Sequence, residues 1–182
     1  MGVGKQANLV YLIDFGLSKE FRDSNTRAHI PRNQGLGLIR TTTFASVNSH
    51  LGLELGRRDN LESLAYILLY FLWGFLPWQA LGQQKHAILE SKQRITTFKM
   101  FEELPAEFRI FLEHSRSLTF EGKPDYDHFY DLFNNLLSQK GFRNDMVFDW
   151  DVASGKDLAQ DVRDRSGVLK AENSHFPKRR TG

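Results

Sequence analysis

Apolar positions along this chain fall into two spacings. Leu9-Val10-Tyr11-Leu12-Ile13 is a short, partly β-branched apolar run, which predicts a strand. The longest apolar run is Leu64 to Leu76, thirteen residues. That is short of the ~20 needed to span a bilayer, so it predicts a helix near 60–76 buried on nearly all sides. Asp59 or Asn60 can cap its start, and Pro77 stops it. Between Gln83 and Thr97, Ile88, Leu89 and Ile95 are interleaved with charges, which predicts an exposed amphipathic helix. Pro105 suits the first position of a further helix over 105–116, in which Phe108, Phe111 and Leu112 recur at three and four. Tyr126, Phe129, Leu132, Phe133, Leu136 and Leu137 form the clearest helical stripe, predicting a helix over 126–140.

The stretches between these elements are informative too. From Ser18 to Ser49 the chain is polar, contains Pro31, Gly35 and Gly37, and keeps no period. Loops longer than ~12–15 residues are usually functional lids or disordered segments. Phe142 to Trp150 is aromatic-rich and is expected to pack on the helices. Beyond Asp151 the only aromatic is Phe176, and Lys178-Arg179-Arg180 stand just before the final Thr181-Gly182. Residues 151–182 are therefore expected to form a flexible tail. Three basic residues fall short of the usual basic cluster and read as a solvated terminus.

Composition narrows the function classes. Hydrophobic residues make up 41% and charged residues 25% of the 182, which is globular rather than disordered. With 24 Lys and Arg against 22 Asp and Glu, the net charge of +2 gives no electrostatic case for nucleic acid. There are no cysteines. That excludes disulfides, thiolate metal sites and cysteine nucleophiles together. Met1 to Gln6 lacks the apolar stretch of a secretory signal. Without a signal or a span, the expected location is cytoplasmic or nuclear.

Gly2-Val3-Gly4-Lys5 invites a phosphate-loop reading. That loop needs more residues between its glycines and a Ser or Thr after the lysine, whereas Gln6 follows here, ahead of a strand rather than after one. The segment reads as a hairpin turn. Asp14-Phe15-Gly16, at the end of the predicted strand, carries more chemistry. A carboxylate there can hold Mg²⁺, Phe15 can pack beneath a sheet, and Gly16 lets the next loop pivot. The six histidines show no metal-ligand spacing, and Ser46 has no hydrolase elbow around it.

The blocks around that triplet are more specific. Leu-Val-Tyr-Leu-Ile-Asp-Phe-Gly-Leu-Ser-Lys-Glu-Phe-Arg-Asp (9–23) comes first, then His29-Ile30-Pro31. Phe44-Ala45-Ser46-Val47-Asn48-Ser49-His50-Leu51-Gly52 follows, and after it Arg57-Arg58-Asp59-Asn60-Leu61-Glu62-Ser63-Leu64. Leu76-Pro77-Trp78-Gln79, Pro124-Asp125-Tyr126 and Phe148-Asp149-Trp150 complete the series. In this order they resemble the casein kinase I family of serine/threonine protein kinases over residues 1–150. Ser46-Val47-Asn48 stands where kinases at large carry Ala-Pro-Glu.

The resemblance implies a mainly α fold: the C-terminal lobe of a protein kinase, with a short N-terminal β-hairpin near 9–13 and 17–20 and no N-lobe. It implies an activation segment over 14–48. Met1-Gly2 matches an internal Met-Gly of the family, so the chain is expected to begin about eight residues after the catalytic aspartate. Among its 182 residues there is no glycine-rich nucleotide loop, ATP-pairing lysine or catalytic base. By resemblance Asp14 is a metal ligand, Phe15 and Gly16 form the activation-segment hinge, and Phe44, Ala45, Ser46 and Asn48 receive the substrate strand. Lys85, with Arg40, binds an anion that resembles a phosphorylated or acidic residue upstream of the substrate serine. Thr43 stands where the family has an arginine, which weakens that preference. Asp59 and Asn60 occupy the structural brace of the catalytic loop; Asn60 replaces an aspartate and removes a charge. The implied cofactors are ATP and Mg²⁺, and the implied partners are protein substrates. The implied activity is phosphorylation of protein Ser or Thr in the complete family, with this chain inactive alone. The alternative is a non-catalytic, pseudokinase-like module that binds a partner.

Overall fold

The computed structural model of the chain describes residues 9–37, 42–97 and 101–143. The closing segment from 144 to 150, the tail 151–182, the turn at Gly2–Lys5 and Arg40 lie outside them. The chain divides into two units, residues 18–142 and the two ends, 1–17 with 143–182.

The unit 18–142 is helical. Its helices are α1 (Val47–His50), α2 (Arg57–Trp73), α3 (Lys85–Gln93), α4 (Ala106–Ser117) and α5 (Tyr126–Gln139), with 3-10 turns at Pro77–Leu81 and Ile95–Thr97. α2 is the axis. It starts where Asp59, in its first turn, accepts the Gly56 N–H at 2.8 Å. It ends at Gly74, not at Pro77: Gly74 has φ +74° and donates its N–H to the Tyr70 carbonyl at 2.8 Å. A left-handed glycine after a helix satisfies an otherwise open carbonyl at no Cβ cost, so the helix stops before the proline can break it.

Burial follows from α2. Leu61, Ala65, Tyr66, Leu69 and Trp73 are buried along it, whereas Leu64, Phe71 and Leu72 are exposed, so the helix is buried on one face and not on nearly all sides. α4 packs along α2, burying Phe111 and Leu112, and α5 packs on α4. The α4–α5 seam is aromatic: Phe111 meets Phe129 edge-on at 4.8 Å between centroids, and Phe108 meets Phe133 at 5.3 Å. Such edge-to-face pairs each add ~0.5–1.5 kcal/mol beyond the area they bury. Tyr126 heads the predicted stripe yet is half exposed, because it sits in the first turn of α5, where Asp125 caps the helix by accepting the His128 N–H at 3.0 Å. α3 departs from its prediction in two ways. It is shorter than 83–97, ending at Gln93, and it buries Ile88 and Lys92 on one face against α1 and the turn after α2.

The predicted β-hairpin is corrected. Among the described residues there is no strand; Arg22 and His29 form an isolated antiparallel bridge within residues 18–142. In the other unit, residues 9–14 carry no hydrogen-bonded ladder and Phe15–Leu17 form one 3-10 turn. A β-branched apolar run supplies the side-chain pattern of a strand, but a strand also needs a partner for its N–H and C=O groups. Asp14 takes φ +64°, a left-handed conformation that breaks the run before Gly16.

Candidate functional site

The polar chemistry of residues 18–142 is concentrated where the segment 42–54 lies against the first half of α2. Three buried carboxylates fasten it. The first is Asp59, 2% exposed. Its Oδ1 accepts from Ser46 Oγ at 2.8 Å and from Asn48 Nδ2 at 2.9 Å, while its Oδ2 accepts from Gly56 N. Ser46 Oγ in turn accepts the Ser49 N–H at 3.2 Å and caps α1. One carboxylate therefore closes the start of α2 and, through Ser46, the start of α1.

The second is Glu62, one turn further along α2. Its Oε1 accepts from Tyr66 Oη at 2.6 Å, Arg116 Nε at 3.1 Å and the Val47 N–H at 3.3 Å. Arg116 also donates to Tyr66 Oη and to the Lys92 carbonyl, each at 2.7 Å, which ties α4 to α2 and α3. Burial pushes the Tyr66 phenol well above its ordinary value, and the Glu62 carboxylate adds to this. Lys92 lies in the same cluster with none of its surface exposed. Its Nζ donates to the carbonyls of Thr42 and Ala45, both at 2.6 Å, and sits about 5 Å from the ring centroids of Tyr66 and Trp78. Trp78 Nε1 donates to the Thr43 carbonyl at 2.7 Å. Thr42, Thr43 and Ala45, near the end of the loop, are thus held through their backbone carbonyls.

The third is Glu54, which accepts from Lys19 Nζ and, at 3.0 Å, from Asn33 Nδ2. The Lys19 hydrogen bond holds its carboxyl below the ordinary range. Beside it, Phe21 stacks obliquely on His29, His29 meets Phe120 edge-on at 4.7 Å, and the Arg57 guanidinium lies 4.4 Å over the Phe21 ring. These contacts, together with the Arg22–His29 bridge and the turn closed by the Asp23 N–H on the Ala28 carbonyl at 2.9 Å, hold the early part of the long loop.

The residues singled out from the sequence fall into distinct places. Ser46, Asn48 and Asp59 meet in one network, and Ala45 is buried beside it at 2% exposure. Phe44 is half-buried and meets Tyr70 edge-on at 5.7 Å. Ser46 and Asn48 turn their polar groups inward. Asn60 is exposed, and its neighbour Asp59 is the buried member of the pair. Lys85 is exposed at the start of α3. Asp14, Phe15 and Gly16 belong to the other unit; Phe15 is exposed, and a Cβ on Gly16 would meet Asp14 Oδ1 at 3.4 Å.

A metal is not supported by these residues alone. Among those described, no three His, Asp or Glu side chains are grouped to hold a cation. Mg²⁺ needs several oxygen ligands, usually including substrate phosphates, and Asp14 offers one carboxylate. The concavity over Ser46, Asp59 and Asn60 has a volume of about 10 Å³, room for about one water. That is far below the ~300–1,000 Å³ typical of ligand pockets. No described helix is long and apolar enough to cross a membrane.

Sequence reasoning missed the Glu62–Tyr66–Lys92–Arg116 cluster. One signal was available: Glu62 lies one turn before Ala65 and Tyr66, on the side of α2 that enters the core, and a buried carboxylate requires donors. No protein-family model matches the chain.

Proposed function

We propose that this chain forms the C-terminal lobe of a casein kinase I-like protein serine/threonine kinase, and that it transfers no phosphate alone. The observation that carries this reading is the Asp59 network. Ser46 and Asn48, which the resemblance assigns to the end of the activation segment, both donate to Asp59, one of the two residues it assigns to the brace, within 2.9 Å, while the other, Asn60, is exposed. A preorganised platform of this kind suits a reaction that is mostly positioning and charge neutralisation. The mainly helical unit around α2 agrees with such a lobe.

In this reading residues 44–50 border the protein substrate, and Lys85 offers a positive charge to an acidic or phosphorylated group upstream of the acceptor. ATP and Mg²⁺ would require groups outside these 182 residues, with Asp14 contributing one ligand. The protein would act in the cytoplasm or nucleus. The second reading, a partner-binding module without catalysis, is favoured by Asn60 and Thr43, which stand where the family carries an aspartate and an arginine. The intact mass of the endogenous protein separates the two. A species near 21.1 kDa supports the binding module and sinks the kinase reading. A species larger by an N-lobe and catalytic loop supports the kinase.

A further inference from the structure

We propose that residues 42–46 form a proton-linked lid over Lys92: opening the segment takes up a proton at Nζ, and closing it releases one. The inference rests on the geometry of residues 42–116 and is independent of the kinase reading.

The closed geometry places an amine where its charge has little compensation. Lys92 is fully buried, and its Nζ is covered on the loop side by the Thr42 and Ala45 carbonyls, from a segment that itself carries no ionisable side chain. The charged and titratable groups around it come from each packed helix. α2 contributes Glu62 and Tyr66, α4 contributes Arg116, and α1 contributes His50, with Lys85 at the start of α3. Glu62 is the single carboxylate among them, and its Oε1 already accepts from Arg116, Tyr66 and Val47. An ammonium at Lys92 therefore gives a buried cluster one excess positive charge, with Arg116 opposing it.

Carbonyl dipoles and ring faces offset part of that cost. A neutral amine keeps two N–H donors, matching the two loop carbonyls, so the closed state does not need the third proton. Burial and Arg116 act in the same direction, Glu62 against them, and the balance brings Nζ down from 10.5 to about 7. Opening 42–46 returns Nζ to water and to its ordinary affinity for protons. Linkage then fixes the sign. Closed and open states both hold the proton well below pH 7. Between about 7 and 10.5 only the open state does, so closure strengthens roughly tenfold per pH unit. His50 has the same sign, because burial and the Lys92 charge lower it from 6.5 in the closed state, but its window lies below 6.5 and so below that of Lys92.

The test is hydrogen exchange on the full 182-residue chain from pH 6 to 9, corrected for the intrinsic rate, comparing peptides covering 42–50 with peptides from α2. The expected result is protection of 42–50 that is lower than that of α2 and about 50-fold higher at pH 9 than at pH 7. In Lys92→Met the rise above pH 7 should vanish. A flat wild-type profile, a rise above pH 7 that survives in Lys92→Met, or protection of 42–50 equal to that of α2 at every pH would each overturn the lid. If Lys92→Met does not fold, NMR titration of the lysine Nζ resonances in the wild-type chain decides. A Lys92 transition near neutrality supports the proposal, and one near 10.5 overturns it.

Discussion

Replacing Asp59 with alanine is expected to remove the main fastening between the segment 44–50 and α2. Three donors lose their acceptor: Ser46 Oγ, Asn48 Nδ2 and the Gly56 N–H, all within 2.9 Å of the carboxylate. Hydrogen bonds to a charged group contribute ~1.5–3 kcal/mol each, and donors left buried add a desolvation cost. The concavity beside Asp59 lets water reach some of them, which brings the simple sum down. The expected loss is ~3–5 kcal/mol, a large share of the ~5–15 kcal/mol that holds a typical domain together. With a urea slope of ~2 kcal/mol per molar, the unfolding midpoint should fall by about 2 M. Tryptophan fluorescence reports it, since Trp73 and Trp78 are both buried. Asp59→Asn should fall between, at ~1–3 kcal/mol: its carboxamide oxygen can keep Ser46 and Asn48, while its NH₂ then faces the Gly56 N–H. Asn60→Ala is the internal control. Asn60 is exposed, so its change should stay within ~0.5 kcal/mol. The reasoning fails if Asp59→Ala shifts the midpoint no further than Asn60→Ala.

Other outcomes follow from the same contacts. Glu62→Gln leaves Arg116 and Lys92 without a buried carboxylate and should cost ~3–5 kcal/mol by urea unfolding. A double-mutant cycle with Arg116→Met should be strongly non-additive, and additive losses would show that the two side chains do not act as one unit. The Glu54 carboxyl is held below its ordinary 4.5 by the Lys19 hydrogen bond, so its contribution is complete above that value and is lost as pH falls through the folded one. Glu54→Gln should therefore flatten the acid limb of the stability curve, and an unchanged acid limb would remove Glu54 from the account. Gly52 has φ +67°, and a Cβ there would lie 2.8 Å from the Leu36 carbonyl oxygen. Gly52→Ala should cost more than ~1 kcal/mol, measured by thermal unfolding, and a neutral result would mean the loop at Leu36 yields freely.

The helices were legible in the sequence because burial imposes a period. The stripe around Phe129 and Phe133 and the Pro105 start each mark a helix to within a residue or two of α5 and α4. The end of α2 was read late because Pro77 is the stronger local signal, while the left-handed Gly74 acts first. The strand at 9–13 was misread because apolar spacing says nothing about pairing. At the candidate site, Asp59 was named both as a candidate helix cap and, by the family resemblance, as part of the brace. Lys92 was not, since a lysine among Glu90, Gln93 and Arg94 looks like a solvated helix face. Its burial follows from register: four residues after Ile88, it shares the face that α3 turns inward. The carbonyls of Thr42 and Ala45 that receive it come from a loop with no periodic signal.

We propose that this chain forms a lobe of a casein kinase I-like enzyme. The most direct test is phosphate transfer by a fusion of an N-lobe and catalytic loop from that family to residue 1 of this chain. With Mg²⁺ and ATP, the account predicts phosphorylation of casein well above that of the isolated chain, and its loss on Asp14→Asn. A folded fusion that transfers nothing, or one indifferent to Asp14, would contradict it.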